Sequence, residues 1–577
     1  MDFKQGIAEL LHGLCGLSVT EAHALLESPP DPKLGDYAFP CFTLAKTLKK
    51  APTQIASDLA RDAHQHLQEH HLTSCIATGP YLNFFIDKET LAKHVIETII
   101  RLNDSYGKPA PKNGTIMVEY CQVNTHKAFH VGHLRGTLLG DTLVRLLKAQ
   151  GHQVLGVNYQ GDIGSHVAKV MWYLTKHNTE ADPAKHKGRW VGRMYQKANT
   201  LLKTENVALQ EQYKKEVSQT LQQLESNDPD LMIRWKQTRE WCLDDFNAFY
   251  TEINVHFDRF FFESEMEKPG KALVQKMLID KIAILDNGAV IIDLEKEKLG
   301  KFLLLKSDGT ALYATKDLAL ATIKYQEYGI TTSIHVVGSE QKLYFEQLFA
   351  TLQRMGFAQA KNCIHVPYEL VNLEGGKISS REGDLIYAEE LVDNLNTAAL
   401  QGVEERHTQW PIELKQRTAR AIALAALRFS FLHQDNAKPI IFNPQKALDF
   451  EGETGPYIQY AIVRINSIEE KAQTSIGINQ STHIPYDLLV HPKEHALISL
   501  LRDYPQILES ATNHYKPAML THYLFTLAQA FNEFYHACPI LQAPPHERIA
   551  RLHLIKAVKI VLQQGLALLG IETPEKM

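Results

Sequence analysis

The stretch VEYCQVNTHKAFHVGHLRGTLLGDTLVRLLKAQGHQVLGVNYQG, from Val118 to Gly161, decides the fold. The apolar run that ends at Val118 predicts a strand, and leucines between Leu139 and Leu147 recur at the spacing of one helix face. Gly151 ends the predicted helix, and Val154–Tyr159 predicts a second strand. Strand, helix and strand in this order indicate a βαβ unit and therefore a parallel sheet.

Two histidines, His130 and His133, stand at the predicted start of that helix, with Gly132 between them. Ligands of doubly wound sheets bind beyond the carboxyl ends of the strands, where helix N-termini present N–H groups to phosphates. Residues three apart on a helix face the same way, so both histidines can meet one ligand. Two ordinary surface histidines are the alternative, because so short a pattern also arises by chance.

Composition bounds the class of protein. A length of 577 residues predicts about three or four domains, and a hydrophobic share of 44% with 22% charged residues is typical of a soluble globular protein. The net charge of −5 argues against a general nucleic-acid coat, although a local basic groove stays open. The start of the chain lacks a signal-peptide layout, and no apolar run approaches a membrane span.

Seven cysteines are scattered along the chain and none form a CxxC pair. Neither a zinc ribbon nor a disulfide framework is therefore indicated, and we expect no bound zinc. Together with the composition, this predicts a reduced, cytoplasmic, multidomain protein.

Residues 1–110 predict a small α+β domain that ends in the Pro-, Gly- and Asn-rich linker 103–115. Within it, Gly79–Ile86 predicts a strand on which Tyr81 and Asn83 point to the same side. An exposed aromatic beside an amide can stack on an unpaired base and hydrogen-bond its edge. Ordinary sheet residues fit this spacing equally well.

Residues 111–390 predict the α/β domain with the parallel sheet, interrupted by a charged helical insertion at about 188–285. A later helix begins at Tyr313 and places Asp317 on the same face. A short apolar strand then leads into the corner that contains Gln341.

A glycine-flanked loop follows, with Lys377, Ser379, Ser380 and Arg381. One lysine, two hydroxyls and one arginine suit a polyphosphate, although a solvated surface turn is the alternative. It is not a Walker A loop, because Val371 stands where the first glycine is required. From residue 391 to 577 the pattern is nearly all helical and predicts a bundle.

The ordered set of motifs resembles the arginyl-tRNA synthetases of class I. HVGH at 130–133 and KISSR at 377–381 resemble the two class I signatures, and TGPYIQYA at 454–461 fits this family as well. The resemblance covers essentially the whole chain in the right order. It implies an N-terminal domain at 1–110 that contacts the tRNA elbow, a Rossmann-type catalytic domain at 111–390 and an all-α anticodon-binding domain at 391–577.

The resemblance also implies residue roles and partners. ATP, accompanied by Mg²⁺, arginine and arginine tRNA are the implied ligands of a monomeric enzyme that activates arginine only with tRNA bound. The residues assigned to ATP and catalysis are His130, Gly132, His133, Lys127, Lys377, Ser379 and Arg381. Those assigned to arginine are Glu119, Asn124, Tyr313, Asp317 and Gln341. Those assigned to tRNA are Tyr81, Asn83, Tyr457, Tyr460 and Met577.

One departure from the class I pattern affects the phosphate site. The usual loop contains a second lysine where this chain has Ser380. Lys127, three residues before His130, is the compensating candidate, and Arg381 competes with it.

Two other functions stay open at this point. The first is another class I synthetase or a small HxGH nucleotidyltransferase, although the latter chains are short and lack a C-terminal bundle. The second is a non-catalytic tRNA-binding paralogue, which should have lost His130, His133 and Lys377 first.

Overall fold

A computed structural model describes residues 3–29, 31–373, 387–475 and 484–577 of the chain. The helices are α1 (Phe3–Cys15), α2 (Val19–Leu25), α3 (Ala45–Leu48), α4 (Pro52–Ala63), α5 (Lys88–Leu102), α6 (Val131–Ala149), α7 (Ser165–Lys176), α8 (Lys187–Leu201), α9 (Val207–Glu225), α10 (Pro229–Glu252), α11 (Glu263–Ile279), α12 (Tyr313–Glu327), α13 (Lys342–Arg354), α14 (Ala388–Arg406), α15 (Ile412–His433), α16 (Pro444–Ala447), α17 (Gly455–Ser475), α18 (Pro492–Asn513), α19 (Pro517–Ala537) and α20 (Pro545–Leu568). The strands are β1 (Tyr37–Pro40), β2 (Leu72–Thr78), β3 (Tyr81–Ile86), β4 (Thr115–Glu119), β5 (Gln153–Gln160), β6 (Arg259–Phe262), β7 (Ile284–Asp286), β8 (Ala289–Leu294), β9 (Gly300–Leu305), β10 (Thr332–Gly338), β11 (Cys363–Tyr368), β12 (Val371–Leu373) and β13 (Ile440–Phe442).

The chain forms two compact units that are each discontinuous in sequence. The first unit contains the described residues of Met1–Gly107, Tyr460–Ile507 and Tyr523–Gln564. The second unit contains those of Lys108–Gln459, Leu508–His522 and Gly565–Met577. The division into domains 1–110, 111–390 and 391–577 stays a prediction.

The second unit is built on a five-stranded sheet in the order β11-β10-β4-β5-β6, and every neighbouring pair is parallel. Strand β4, helix α6 and strand β5 form the βαβ unit that the sequence predicts, which confirms the α/β class. Parallel strands align their carboxyl ends, so the residues that follow β4, β5 and β10 share one edge of the sheet.

Helix α6 lies close to the sheet because its inner face contains small residues. A Cβ atom at Gly140 would collide with the buried ring of Tyr120, and one at Gly136 would come within 2.5 Å of the Tyr368 hydroxyl oxygen. The helix is also fixed by Arg135, whose guanidinium donates to the carbonyl oxygens of Glu369 at 2.6 Å and Asp435 at 3.0 Å. These contacts set the position of the helix start, where the two histidines lie.

A three-stranded antiparallel sheet, β7-β8-β9, packs with α11, α12 and α13 around a shared apolar core. The predicted helical insertion at about 188–285 contains α8 to α11, but strand β6 joins the parallel sheet between α10 and α11. Pairing with β5 decides the structure of β6.

One buried arginine joins distant parts of the second unit. Arg428 on α15 forms an ion pair with Asp141 on α6 and donates to the carbonyl oxygens of Leu569 at 2.6 Å and Ile253 at 2.8 Å. A buried guanidinium is stable only when its donors find acceptors. Its partners come from three separate stretches of sequence, so this one side chain fixes their packing against α15.

The first unit contains an antiparallel sheet in the order β1-β3-β2 together with parts of the late helices. Tyr106 donates from its hydroxyl to the carbonyl oxygen of Leu501 at 2.9 Å, and Arg502 pairs with Asp36 at 3.0 Å. The late helices predicted from the sequence are confirmed as α14 to α20. None of the helices in the described ranges combines the length and apolarity that are needed to cross a membrane.

Candidate active site

The two histidines at the start of α6 cap the helix and each other. His130 accepts the Gly132 N–H on Nδ1 at 3.1 Å, and its own backbone N–H donates to Nδ1 of His133 at 3.2 Å. The two rings stack with their centroids 3.7 Å apart. Glycine is needed at 132, because a Cβ atom there would stand 2.9 Å from Cε1 of the His130 ring.

These hydrogen bonds decide the tautomer of both rings. Each Nδ1 accepts a backbone N–H, so in a neutral ring the proton must lie on Nε2. Burial, and then the charge of Lys127, lowers the pKa of His130 to about 4. Burial, then His130 and then Lys127 hold the pKa of His133 well below its usual value. Both rings are therefore neutral near pH 7 and present Nε2–H donors. We call this pair the histidine corner.

Lys127 lies close to the histidine corner and supplies a positive charge there. Its Nζ stands 5.9 Å from the centroid of the Tyr195 ring, as does that of Lys169. The structure thus groups Lys127 with the histidines. Lys377, Ser379 and Arg381, the other residues assigned to ATP, lie outside the described residues.

A second cluster contains the ionised groups of the site. Glu119, at the end of β4, is buried and forms an ion pair with Lys324, and His335 Nδ1 lies 3.6 Å from its other oxygen. Although burial favours the neutral acid, Lys324 and His335 keep the pKa of Glu119 well below its usual range. Glu119 is therefore ionised and already has a cationic partner.

Asp317 lies on α12 beside this ion pair and has no cationic partner of its own among the described residues. Its carboxylate accepts a hydrogen bond from the Tyr344 hydroxyl. Burial raises the pKa of Asp317 to about 7, and the Tyr344 hydrogen bond only partly offsets this. Glu119, Asp317, Lys324 and His335 line one small cavity, which we call the acid pocket.

The polar loop after β4 is fixed to the end of β5. Asn124 accepts the Gly161 N–H on Oδ1 at 3.2 Å. Asp162 is buried and bound to Arg239 at 2.7 Å and to the Ser264 hydroxyl at 2.7 Å. The Asn124 amide nitrogen is thus oriented by the hydrogen bond of its oxygen, as a residue that is to hold a ligand must be.

Two of the residues assigned to arginine lie further out. Tyr313 is 64% exposed, whereas Asp317 one turn later is half-buried, and Gln341 is exposed after β10. The i, i+4 spacing therefore places Tyr313 at the rim and Asp317 in the interior. Neither contact with arginine is tested by this arrangement, and both stay predictions.

The residues assigned to tRNA are scattered. Tyr81 is half-buried and packs edge-on against the exposed Phe42 ring at 6.0 Å. Asn83 lies in the central strand β3 and is only 3% exposed, and its contact with tRNA stays a prediction. Tyr460 is exposed beside Arg464, while Tyr457 and Met577 are half-buried.

Sequence reasoning missed Lys324, His335 and Tyr344 as parts of the site. Lys324 follows Asp317 by two helical turns, so its spacing was a usable signal. His335 interrupts an apolar strand near the ligand edge of the sheet, which was a weaker signal. Tyr344 lies in an ordinary amphipathic helix, and nothing in its spacing distinguishes it.

A family model described as tRNA synthetases class I (R), catalytic domain, matches residues 95–443. The parallel sheet, the histidine corner and this match define a class I aminoacyl-tRNA synthetase. Models described as arginyl tRNA synthetase N terminal domain and DALR anticodon binding domain match residues 1–86 and 458–577.

Full-length relatives narrow the class to one family. The arginine–tRNA ligase of Bdellovibrio bacteriovorus is 40% identical over 97% of this chain and 95% of its own length. That of Treponema pallidum is 34% identical over 100% of this chain and 99% of its own. The solved structure titled Thermus thermophilus arginyl-tRNA synthetase matches with a TM-score of 0.83 and 28% identity, covering 100% of this chain and 99% of that one. The chain belongs to the arginyl-tRNA synthetase family, which confirms the resemblance found in its motifs.

Proposed function

We propose that this protein ligates L-arginine to the 3′ end of arginine tRNA, using ATP. The arginine carboxylate attacks the α-phosphorus of ATP, and the bond to pyrophosphate breaks to give arginyl-adenylate. The 2′-hydroxyl of the terminal adenosine then attacks the arginyl carbonyl carbon, and AMP leaves. One observation carries the proposal: neutral histidine donors and a buried acid pocket border the same edge of the parallel sheet.

The first step needs positioning more than proton transfer. A carboxylate is ionised at pH 7, so no general base is required for its attack. Negative charge shifts onto the departing pyrophosphate, and donors aimed at those oxygens lower the barrier. The Nε2–H groups of His130 and His133 supply such donors, and Lys127 adds a charge. Lys377, Ser379 and Arg381 complete the phosphate contacts in this proposal.

Lys127 is our candidate for the lysine that the KISSR signature at 377–381 lacks. It already acts on the histidine corner electrostatically, since it contributes to the low pKa of both rings. Arg381 is the competing residue, and comparison of Lys127→Met with Arg381→Met in the exchange assay separates them. The more damaging change identifies the residue that replaces the second lysine.

Charge counting supports arginine as the amino acid. Glu119 is ionised, and Asp317, with a pKa of about 7, ionises fully once a cation pairs with it. Of these two negative charges Lys324 neutralises one, and burial lowers the pKa of His335 so that this ring is neutral. The remaining single charge matches one guanidinium, whose planar fork suits a carboxylate. An uncharged isostere leaves Asp317 without a partner, at a cost of roughly 1–3 kcal/mol. In this proposal Asn124 and Gln341 hold the α-amino and carboxylate end, and Tyr313 closes the rim.

Mg²⁺ would enter with ATP in this proposal. The buried carboxylates described at the site already have partners: Glu119 binds Lys324, Asp162 binds Arg239, and Glu263 lies 2.9 Å from Lys316. The phosphates and water would therefore supply most of its ligands, as is usual for this ion. Bound there, Mg²⁺ would neutralise phosphate charge.

We further propose a cytoplasmic monomer that activates arginine only with tRNA bound. All seven cysteines are free thiols, which suits a reducing compartment. Tyr81, Tyr457, Tyr460 and Met577 are the proposed tRNA contacts, and Asn83 would have to leave its buried position to join them.

Exchange of labelled pyrophosphate into ATP tests the proposal. It is measured with each of the twenty amino acids, with and without a transcript of arginine tRNA. We expect exchange with arginine alone, and only when the tRNA is present. Exchange with arginine in the absence of tRNA would support the proposed reaction but contradict the proposed requirement for tRNA. Tight tRNA binding with no exchange for any amino acid would point to a non-catalytic paralogue.

A further inference from the structure

One face of helix α10 contacts both of the loops that follow β4 and β5, within the second unit. Trp235, Thr238, Arg239 and Cys242 recur at the spacing of a single helix face. Trp235 donates from Nε1 to the Asp162 carbonyl oxygen at 2.7 Å, and Arg239 pairs with the Asp162 carboxylate at 2.7 Å. Asp162 follows β5, so this part of the face holds the loop after that strand.

The rest of the face holds the loop after β4, through His126. The His126 backbone N–H donates to Sγ of Cys242 at 3.3 Å. The Thr238 hydroxyl donates within its own helix to the Arg234 carbonyl oxygen at 2.9 Å, so its oxygen accepts from Nε2 of His126 at 2.9 Å. Burial lowers the pKa of His126 to about 3, so the ring is neutral and its Nδ1 accepts from the Thr125 hydroxyl at 2.9 Å. Both ring nitrogens of His126 are therefore paired.

The two loops are also joined to each other at Gly161. The Gly161 N–H donates to Oδ1 of Asn124 at 3.2 Å, and the Thr125 N–H donates to the Gly161 carbonyl oxygen at 3.0 Å. Asn124 is therefore part of one hydrogen-bonded assembly. Helix α10 holds that assembly at two points, His126 and Asp162.

The backbone of the loop after β4 is strained. Three of its residues other than glycine, Cys121, Gln122 and His126, have φ angles of 81°, 46° and 63°. Such left-handed angles cost free energy in L-residues and persist only where the surrounding structure enforces them. The contacts of α10 with His126 enforce the conformation at the third of these positions.

We infer that Thr238 and His126 are positioning residues for arginine, through which helix α10 fixes the loop that contains Asn124. The inference rests on the proposed function, in which Asn124 holds the α-amino and carboxylate end of the amino acid. Simple packing of α10 against the sheet is the alternative. Against it, the face contacts the loops by hydrogen bonds and an ion pair, and buried polar groups are costly unless their partners are in place. These contacts therefore favour one position of the loops.

Pyrophosphate exchange by Thr238→Val, with arginine tRNA present, tests the inference. Valine has nearly the same shape as threonine but removes the acceptor of the His126 Nε2–H. The loop and Asn124 should then shift, and because small misplacements are costly we expect the KM for arginine to rise about tenfold, with kcat within about twofold of its original value. Thr238→Ser keeps the hydroxyl and should restore the KM.

Thr220→Val is the matched control. Thr220 is also a buried helix threonine, on α9, and its hydroxyl also donates to the carbonyl oxygen four residues earlier, at 3.0 Å. We expect its KM for arginine to equal that of the unchanged protein. An equal rise in KM in Thr238→Val and Thr220→Val would overturn the inference, because loss of any buried helix hydroxyl would then have the same effect.

The double variant Asn124→Ala with Thr238→Val separates positioning from a general loss of structure. If Thr238 acts through Asn124, its replacement should not raise the KM for arginine further once Asn124 is absent. Effects of the two changes that simply multiply would contradict this route.

Amide hydrogen exchange tests the same contacts without the reaction. An unpaired buried donor favours local opening, so the N–H groups of Thr125, His126 and Gly161 should exchange about fivefold faster or more in Thr238→Val. Mass spectrometry of peptides that cover residues 121–130 and 158–164 measures these rates. Unchanged rates would overturn the inference whatever the activity. Failure of the proposed function would be distinct, because the unchanged protein would then show no pyrophosphate exchange with arginine.

Discussion

The histidine corner and the acid pocket border one sheet edge and are organised by opposite means. In the histidine corner, backbone N–H groups assign the tautomer of two neutral rings, and neither ring forms an ion pair with another described residue. In the acid pocket, Glu119 and Lys324 form an ion pair, and the pKa of Asp317 is raised to about 7. The first should work over a wide pH range, whereas the second responds to charge and to pH.

The largest expected effect is on stability, from Lys324→Met. The change leaves Glu119 buried without its main cationic partner, which costs about 3–5 kcal/mol. The midpoint of denaturation in urea measures it. Lys324→Arg should recover much of the loss because it restores the charge.

The control for that prediction is Lys214→Met. Lys214 pairs with Glu211 on the surface of α9, and exposed pairs contribute only about 0–1 kcal/mol. A midpoint for Lys324→Met as high as that of the control would show that the acid pocket does not depend on Lys324.

The second-largest effect is expected on the rate of the chemical step in the His133→Ala variant. The variant loses one Nε2–H donor and the acceptor for the His130 N–H. Loss of one hydrogen-bond donor to the charge that develops in the transition state raises the activation free energy by about 2.7–4 kcal/mol. Pyrophosphate exchange at saturating arginine should fall accordingly, with arginine affinity unchanged. The exposed His256→Ala should retain full exchange, and full exchange in His133→Ala itself would exclude the proposed role.

A smaller effect concerns pH. Only ionised Asp317 can pair with the guanidinium, so arginine affinity is full above pH 7 and falls below it. Near pH 6 the loss is about tenfold, or about 1.4 kcal/mol. The histidine corner stays neutral over this range, because the pKa of His130 is about 4. Calorimetric titration of arginine at several pH values measures the effect.

The Asp317→Asn variant tests whether ionisation of Asp317, and not that of another group, causes the pH dependence of arginine affinity. Its arginine affinity should be low at every pH and show no slope between pH 6 and 8. A flat profile in the unchanged protein would mean that Asp317 is already ionised at pH 6.

The smallest effect is expected from Gly132→Ala. The added Cβ atom pushes against the His130 ring and weakens its cap on the Gly132 N–H. Loss of such a cap costs about 1 kcal/mol, or roughly fivefold in exchange rate. Gly402→Ala, in an open position on α14, is the matched control and should be neutral or slightly stabilising. Equal rates in the two variants would contradict the steric argument.

The same comparison explains what the sequence could predict. The histidine corner is local: residues 130–133 cap one helix, so periodicity and a four-residue motif suffice to place it. The acid pocket is assembled from residues that are far apart in the sequence. Lys324 pairs with Glu119, which lies 205 residues earlier, and Asp317 accepts a hydrogen bond from Tyr344, which lies 27 residues later. The burial of Asn83 and the strand β6 could not be predicted for the same reason, because pairing with other strands decides exposure and structure.

The Arg428 cluster has a consequence for synthesis of the chain. Its guanidinium is buried against the Leu569 carbonyl, which lies 141 residues later in the sequence. A ribosome therefore makes the sheet and the helices of the second unit long before it supplies this last acceptor. Until then Arg428 has an unmet donor, and the nascent unit must wait in an incompletely packed form that chaperones can bind.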